Sequence, residues 1–197
     1  MLAIFDFFGV VIDWGSEYVL PQWAKYAGVS QAEFKKEWNA ELADCETGKI
    51  SEVELFNRLG KRFNVDPSGL ESILKTTFNT RAKLNEDVVS IIENLPDAVL
   101  LSNQLPLHAE IARSKGWFSY FKKVFLSYEL GYRKPDAKAY LAVLKELGVK
   151  PEDAVFVDDK QENVDAARKL GIHVILYKGA VQLKAELDKI YKPSMTK

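Results

Sequence analysis

The chain has 197 residues, 47% of them hydrophobic and 28% charged, which excludes a disordered polypeptide and allows one buried core or a core with an insertion. A formal net charge of −1 gives no electrostatic pull towards nucleic acid or an anionic membrane, so any anion it binds must meet a local site. One cysteine, Cys45, excludes an internal disulfide; no apolar run approaches the ~18 residues of a membrane span, and the chain reads as cytoplasmic.

The first element is the apolar run "LAIF" at 2–5, which stops at Asp6 and has no basic flank before it, unlike a secretory leader. Residues 14–90 follow, rich in Trp, Phe, Leu, Glu and Lys at helical spacing ("SQAEFKKEWNAELADCE", "SEVELFNRLGKRF") and without a strand pattern. Further short apolar runs stand at 98–101 "AVLL", 124–126 "VFL", 154–157 "AVFV" and 173–176 "HVIL". Each is too short for a helix and is bounded by polar residues or glycine, the signature of a buried strand. Between them "DAKAYLAVLKELG" (136–148) and "QENVDAARKLG" (161–171) have helical spacing and end on glycine. Such alternation predicts an α/β fold: a parallel sheet with helices on both faces, and a helical insertion at 14–90 between a core of 1–13 and 91–197. The "YKPSMTK" tail reads as frayed.

In an open α/β sheet, ligands sit beyond the carboxyl ends of the strands. The residues there are Asp6, Ser102-Asn103 and Asp158-Asp159, with Lys134 in the turn "GYRKPD". Taken singly, each has an ordinary reading as a cap, a solvated turn or a dipole partner. Taken together, they gather Asp6, Asp158 and Asp159 at one end of a sheet, where uncompensated carboxylates repel and desolvate at a cost of several kcal/mol. A cation resolves this, and an oxygen-only ligand set points to Mg²⁺ ahead of Ca²⁺, because neither His108 nor His173 has a spacing that joins the cluster. Ser102, the amides of the following helix and Lys134 would bind an anion opposite, and Asp6 would attack an electrophilic phosphorus or carbon.

Four segments, "FDFFGVV", "LLSNQ", "LGYRKPD" and "VFVDDKQENVDAA", occur in the order of the motifs of the haloacid dehalogenase (HAD) superfamily, and the chain resembles its branch with a helical cap after the first strand. The resemblance implies a Rossmann-like core with the cap at 14–90. It makes Asp6 the nucleophile, Ser102 and Asn103 the groups that orient the transferred moiety, and Lys134 the stabiliser of its charge. It makes Asp159 a direct Mg²⁺ ligand, with Asp158 beside it, Asp6 and the Phe8 carbonyl as further ligands, and Asn163 where relatives often carry an acid. HAD phosphatases usually have D-x-D; here Phe8 replaces the second Asp, whose acid–base help is typically worth ~10²- to 10⁴-fold.

Three readings remain open. One is a Mg²⁺-dependent phosphatase of a small phosphorylated metabolite, similar to the glucose-1-phosphatase-like subgroup, in which that Asp is also often absent. Another is a 2-haloacid dehalogenase, whose relatives carry an aromatic residue at the position of Phe8 and which wants a cap arginine such as Arg58, Arg62 or Arg81. The third is a binding or regulatory protein without turnover. "TGKIS" at 47–51 resembles the end of a phosphate-binding loop but lacks the Ser or Thr after its lysine, so it reads as a turn between helices. Cys45 reads as a buried filler, and Trp14, Tyr18, Trp23 and Trp38 as core of the insertion, with Asp13 and Trp14 placed where they could face a cleft.

Overall fold

The computed structural model describes residues 1–191, so the tail expectation falls, apart from Tyr191, outside the described residues. The chain begins with strands β1 (Leu2–Phe5) and β2 (Ile12–Asp13), then helices α1 (Leu20–Ala27), α2 (Gln31–Glu46), α3 (Glu52–Phe63) and α4 (Pro67–Arg81). After them come β3 (Lys83–Leu84), α5 (Glu86–Glu93), β4 (Ala98–Ser102), α6 (Pro106–Ser114), β5 (Lys123–Leu126) and the single turn α7 (Ser127–Leu130). The remainder is α8 (Ala137–Leu147), β6 (Ala154–Asp158), α9 (Gln161–Lys169), β7 (His173–Leu176) and α10 (Ala180–Tyr191).

Five strands form one parallel sheet in the order β5-β4-β1-β6-β7. β1 is central, with Ile4 opposite Val99 on one side and Phe156 on the other. Both faces of its strands are buried, which is why they read as unbroken apolar runs rather than as an alternation. The period of two still divides them. Phe5, Leu100 and Val157 pack into the core shared with α5, α6 and α10, while Ile4, Leu101 and Phe156 pack with Tyr140, Val143 and Leu144 of α8 and Ala167 of α9. The fold is therefore the expected α/β sandwich with helices on both faces.

Residues 20–81 form four helices whose starts are set by local chemistry: the side chains of Ser30, Ser51 and Asp66 accept the backbone N–H of Glu33, Glu54 and Ser68. Their apolar faces pair α1 with α2 and α3 with α4, with Trp23 stacked on Phe34 and tilted against Trp38. The sequence pattern shows no strand in this stretch, yet β2 and β3 pair antiparallel, Ile12 opposite Leu84 and Asp13 opposite Lys83. Two-residue strands are too short for any period to register. This ribbon ties the chain leaving β1 to the chain returning from α4. α5 then packs against α10, so residues 86–90 lie with the sheet rather than with the four helices. No helix among the described residues is long and apolar enough to cross a membrane.

Candidate active site

Because the five strands are parallel, β1, β4 and β6 deliver their carboxyl ends to one edge of the sheet. There Asp6, Asp158 and Asp159 come together, each with a carboxylate oxygen within 4.8 Å of the others. The Lys134 ammonium, 1% exposed, sits between two of them, 2.7 Å from Asp6 Oδ1 and 2.7 Å from Asp158 Oδ2. Asp158 is saturated: Oδ1 accepts the Lys160 backbone N–H at 2.8 Å, and the Asn163 amide donates to both oxygens at 3.0 and 2.9 Å. Asn163 therefore stands as a donor that orients Asp158.

At the carboxyl end of β4, Asn103 and Ser102 bond within the protein. Asn103 Nδ2 donates to the Lys134 carbonyl at 2.8 Å, and the Lys134 N–H donates to Asn103 Oδ1 at 2.9 Å, so this side chain positions the lysine. Ser102 is fully buried; its hydroxyl accepts from Gln104 Nε2 at 3.2 Å, and it does not line the cleft. Gln104, which no sequence signal singles out, also donates its backbone N–H to the Ser127 hydroxyl oxygen at 3.1 Å.

Burial pushes the Asp6 carboxyl up to about 7, and the neighbouring Asp158 charge adds to this, while Lys134 works against it. Burial opposes the Lys134 charge, but Asp6 and Asp158 outweigh it and hold the ammonium above its ordinary value. Asp159 is raised by burial and then by Asp158. One ammonium faces three carboxylates in a low dielectric, and the excess negative charge is what a divalent cation neutralises. The donors fit a hard cation. Asp6 Oδ2 has no protein hydrogen bond among the described residues, and the Asp159 carboxylate is bonded only to its own amide. Gly9 (φ +79°) makes room for that carboxylate: a Cβ there would lie 2.4 Å from Asp159 Oδ2.

The cluster is the floor of a cleft of about 640 Å³ between the sheet edge and the four-helix segment. Phe8 lines it beside Asp6, and Trp14, Trp38 and Leu42 line it from the helical side. So does His108, which sequence spacing separates from the cluster. The signal available was its place on α6, in the first turns after the "LLSNQ" strand end. Burial pushes His108 down to about 3, so the ring is neutral. Arg58 pairs with Glu41 and Glu54, Arg62 with Glu37, and Arg81 lies over the Tyr18 ring; none of them lines the cleft. "TGKIS" is a turn between α2 and α3, its Gly48 (φ +70°) packed where a Cβ would lie 2.6 Å from the Tyr128 carbonyl oxygen. Cys45 is buried, and burial pushes its thiol up to about 12, which makes it inert.

The chain is similar to known proteins along most of its length. It is 26% identical over 204 residues to the D-ribitol-5-phosphate phosphatase of Bacteroides thetaiotaomicron, covering 95% of this chain and 96% of that protein. It is 28% identical over 156 residues to the drimenol cyclase drtB of Aspergillus calidoustus, where 75% of this chain spans only 29% of the cyclase. Among solved structures, a HAD family enzyme of Bacteroides thetaiotaomicron, in complex with magnesium and inorganic phosphate, superposes with a TM-score of 0.76 at 21% identity, over 89% of this chain and 93% of that one. At that identity the likeness speaks for the fold alone. Residues 1–171 match the family model of haloacid dehalogenase-like hydrolases, and the chain belongs to that family.

Proposed function

We propose that the protein is a Mg²⁺-dependent phosphatase that hydrolyses a small phosphorylated metabolite through an aspartyl-phosphate on Asp6, in a cytoplasmic setting. The observation that carries this reading is the convergence of Asp6, Asp158 and Asp159 around the buried Lys134 at the floor of an open cleft. The phosphatase and the magnesium–phosphate complex among its relatives support it.

In this reading Asp6, Asp159 and the Phe8 carbonyl would hold the metal, with Asp158 beside them. When bound, the ion supplies positive charge to the oxygens of the transferring phosphoryl group. Asp6 Oδ1 is held by Lys134 and by the Phe7 N–H at 2.6 Å, which leaves Oδ2 for attack on phosphorus or for the metal. Lys134, fixed through its backbone by Asn103, keeps the nucleophile charged and faces the developing negative charge. Asp158, with Asn163 and the Lys160 amide, holds the lysine in place. Phe8 moves no proton, so the alcohol must depart with little assistance, and the water that attacks the aspartyl-phosphate, releasing phosphate and the Asp6 carboxylate, must do so with little assistance too. We further propose that the four-helix segment acts as a cap over the cleft, with its far boundary at the β2–β3 ribbon.

The dehalogenase reading draws on the aromatic residue at position 8 but lacks an uncommitted arginine in the cleft for a substrate carboxylate, since Arg133 is held by Glu46. Phosphate release from a panel of phosphorylated metabolites, with and without Mg²⁺, tests the proposal. Metal-dependent release that is lost in Asp6→Asn is expected; release that persists in that variant overturns the Asp6 nucleophile, and none from any ester overturns the phosphatase and leaves a binding protein.

A further inference from the structure

The wall of the cleft has a chemistry opposite to that of its floor. Phe8 meets Phe78 edge-on at 6.0 Å and His108 at 5.3 Å, and Trp14 meets Phe78 edge-on at 4.9 Å. Trp38 and the half-buried Leu42, both on α2, extend the apolar lining, with Trp23 packed against Trp38 at 4.5 Å, the two rings tilted by 43°. His108 belongs to this wall. It is 7% exposed, its Nε2 is buried without any hydrogen-bond partner, and its ring neighbours are Phe8, Trp14 and Phe78. A buried polar nitrogen left without a partner costs stability. Its persistence at a cleft wall points to a ligand atom that supplies the bond.

The charges of the cleft narrow the ligand further. Arg133, Lys134 and Lys160 face six carboxylates there. Arg133 is committed to Glu46 at 2.7 Å and Lys134 to Asp6 and Asp158, and Lys160 is exposed to solvent. A substrate with a second anionic group would meet net negative charge and no free buried cation. An uncharged apolar group would meet rings.

We propose that Phe8, Trp14, Trp38 and Leu42 form a leaving-group pocket for the uncharged, apolar alcohol portion of a phosphate monoester, with His108 hydrogen-bonded to that alcohol's oxygen. The inference rests on the phosphatase reading for its reaction, but the pocket is testable by binding alone. It also gives Phe8 a second consequence: the ring that replaces an acid adds apolar contact where the leaving group departs.

A series of straight-chain alkyl phosphates decides the matter, because their alcohols leave with similar difficulty and differ in apolar area. kcat/KM should rise by up to about fourfold per added methylene until the pocket fills. Trp14→Ala should flatten that rise. Leu42→Arg should flatten it too, and should raise activity on a carboxylate-bearing ester such as phosphoglycolate. His108→Leu should keep the rise but lower every rate by roughly twofold to tenfold, the worth of one hydrogen bond, and His108→Gln should recover part of it. Calorimetric titration with non-hydrolysable alkylphosphonates and Mg²⁺ separates the two ideas. Affinity that climbs with chain length, with no ester hydrolysed, upholds the pocket and removes the phosphatase. Hydrolysis with neither rates nor affinities dependent on chain length removes the pocket and keeps the phosphatase. No binding and no turnover overturns both.

Discussion

At the floor of the cleft Lys134 touches Asp6 and Asp158 at 2.7 Å each, whereas on its wall Phe8, Trp14, Phe78 and His108 meet at ring separations between 4.6 and 6.0 Å. The floor is a network of charge-assisted hydrogen bonds in which each group sets the protonation of the next, so its strength depends on every member and on pH. The wall is held by dispersion and burial, which respond to area, and burial keeps its one histidine, His108, uncharged. A reactive centre thus sits beside a surface that the same chemistry leaves free to vary, and the two should respond to substitution in different ways.

The largest expected effect is on the floor. Asp6→Asn is nearly isosteric but removes the nucleophile, and phosphate release should fall to background with the far-ultraviolet circular dichroism unchanged. Comparable loss in Trp14→Ala on a small ester would erase the distinction between floor and wall. Next come two substitutions of similar size and different character. Lys134→Ala leaves Asp6 and Asp158 buried without their cation and should cost about 3–5 kcal/mol in urea denaturation at pH 8. That cost should shrink as the pH falls: Asp6 stands at about 7 with Lys134 holding it down, so without the lysine it takes up its proton at still higher pH and the repulsion is relieved. Phe78→Ala, fully buried in the wall, should cost about 3–5 kcal/mol with no dependence on pH above neutrality, where the neighbouring His108 carries no charge. Equal pH profiles for the two would break the comparison.

Metal binding sharpens it further. Mg²⁺ at one hundred times its dissociation constant should stabilise the protein by about 2.7 kcal/mol, read as a rise in Tm, and Asp159→Ala should abolish the rise while leaving the wall untouched. Phe8→Asp crosses the boundary, converting a wall residue into a floor residue. It should raise turnover of alkyl phosphates by up to ~10²-fold, the low end of acid–base help, at a loss of thermal stability from the missing ring. A folded, Mg²⁺-binding Phe8→Asp protein with no gain on any ester would count against the phosphatase.

The smallest effect lies outside the cleft, where the helical segment meets the sheet. Glu52 Oε2 accepts the Leu107 N–H at 2.9 Å, and burial first, then Glu71 and Glu110, push its carboxyl up to about 7 against the pull of that bond. A carboxyl whose folded pKa is raised binds more protons folded than unfolded, so its contribution to stability is greatest at low pH and declines as pH rises from about 4.5 to about 7. Glu52→Gln retains the acceptor and should remove that part of the decline in a Tm-versus-pH curve. An unchanged curve would show that the contact does not titrate.

Much of the sheet was legible, because strands buried on both faces declare themselves as short apolar runs. The runs at 2–5, 98–101, 124–126, 154–157 and 173–176 lie within or coincide with β1, β4, β5, β6 and β7. The helices were legible where caps stood at both ends, as with Asp136 and Gly148 around α8. The β2–β3 ribbon was not, since its stability comes from pairing across some seventy intervening residues rather than from any local pattern. Asp6, Asp158 and Asp159 were identifiable as candidates because each stands at or just past a strand end, and parallel strands must deliver those ends to one place; Lys134 lies in the turn after α7, and its contact with them comes from packing.

Short segments read along the chain thus carried the residue types at each strand end, the order of the motifs and the presence of Phe8 two residues after Asp6. Only the tertiary structure decided which of those groups touch. It turned Asn103 onto the Lys134 backbone, buried Ser102 against Gln104, saturated Asp158, and swung His108 into the wall beside Phe8 and Trp14. The reason is physical: type and periodicity are local, but hydrogen-bond partners and burial depend on how distant elements pack, and a shift of an ångström separates a side chain that faces a substrate from one that holds its neighbour in place.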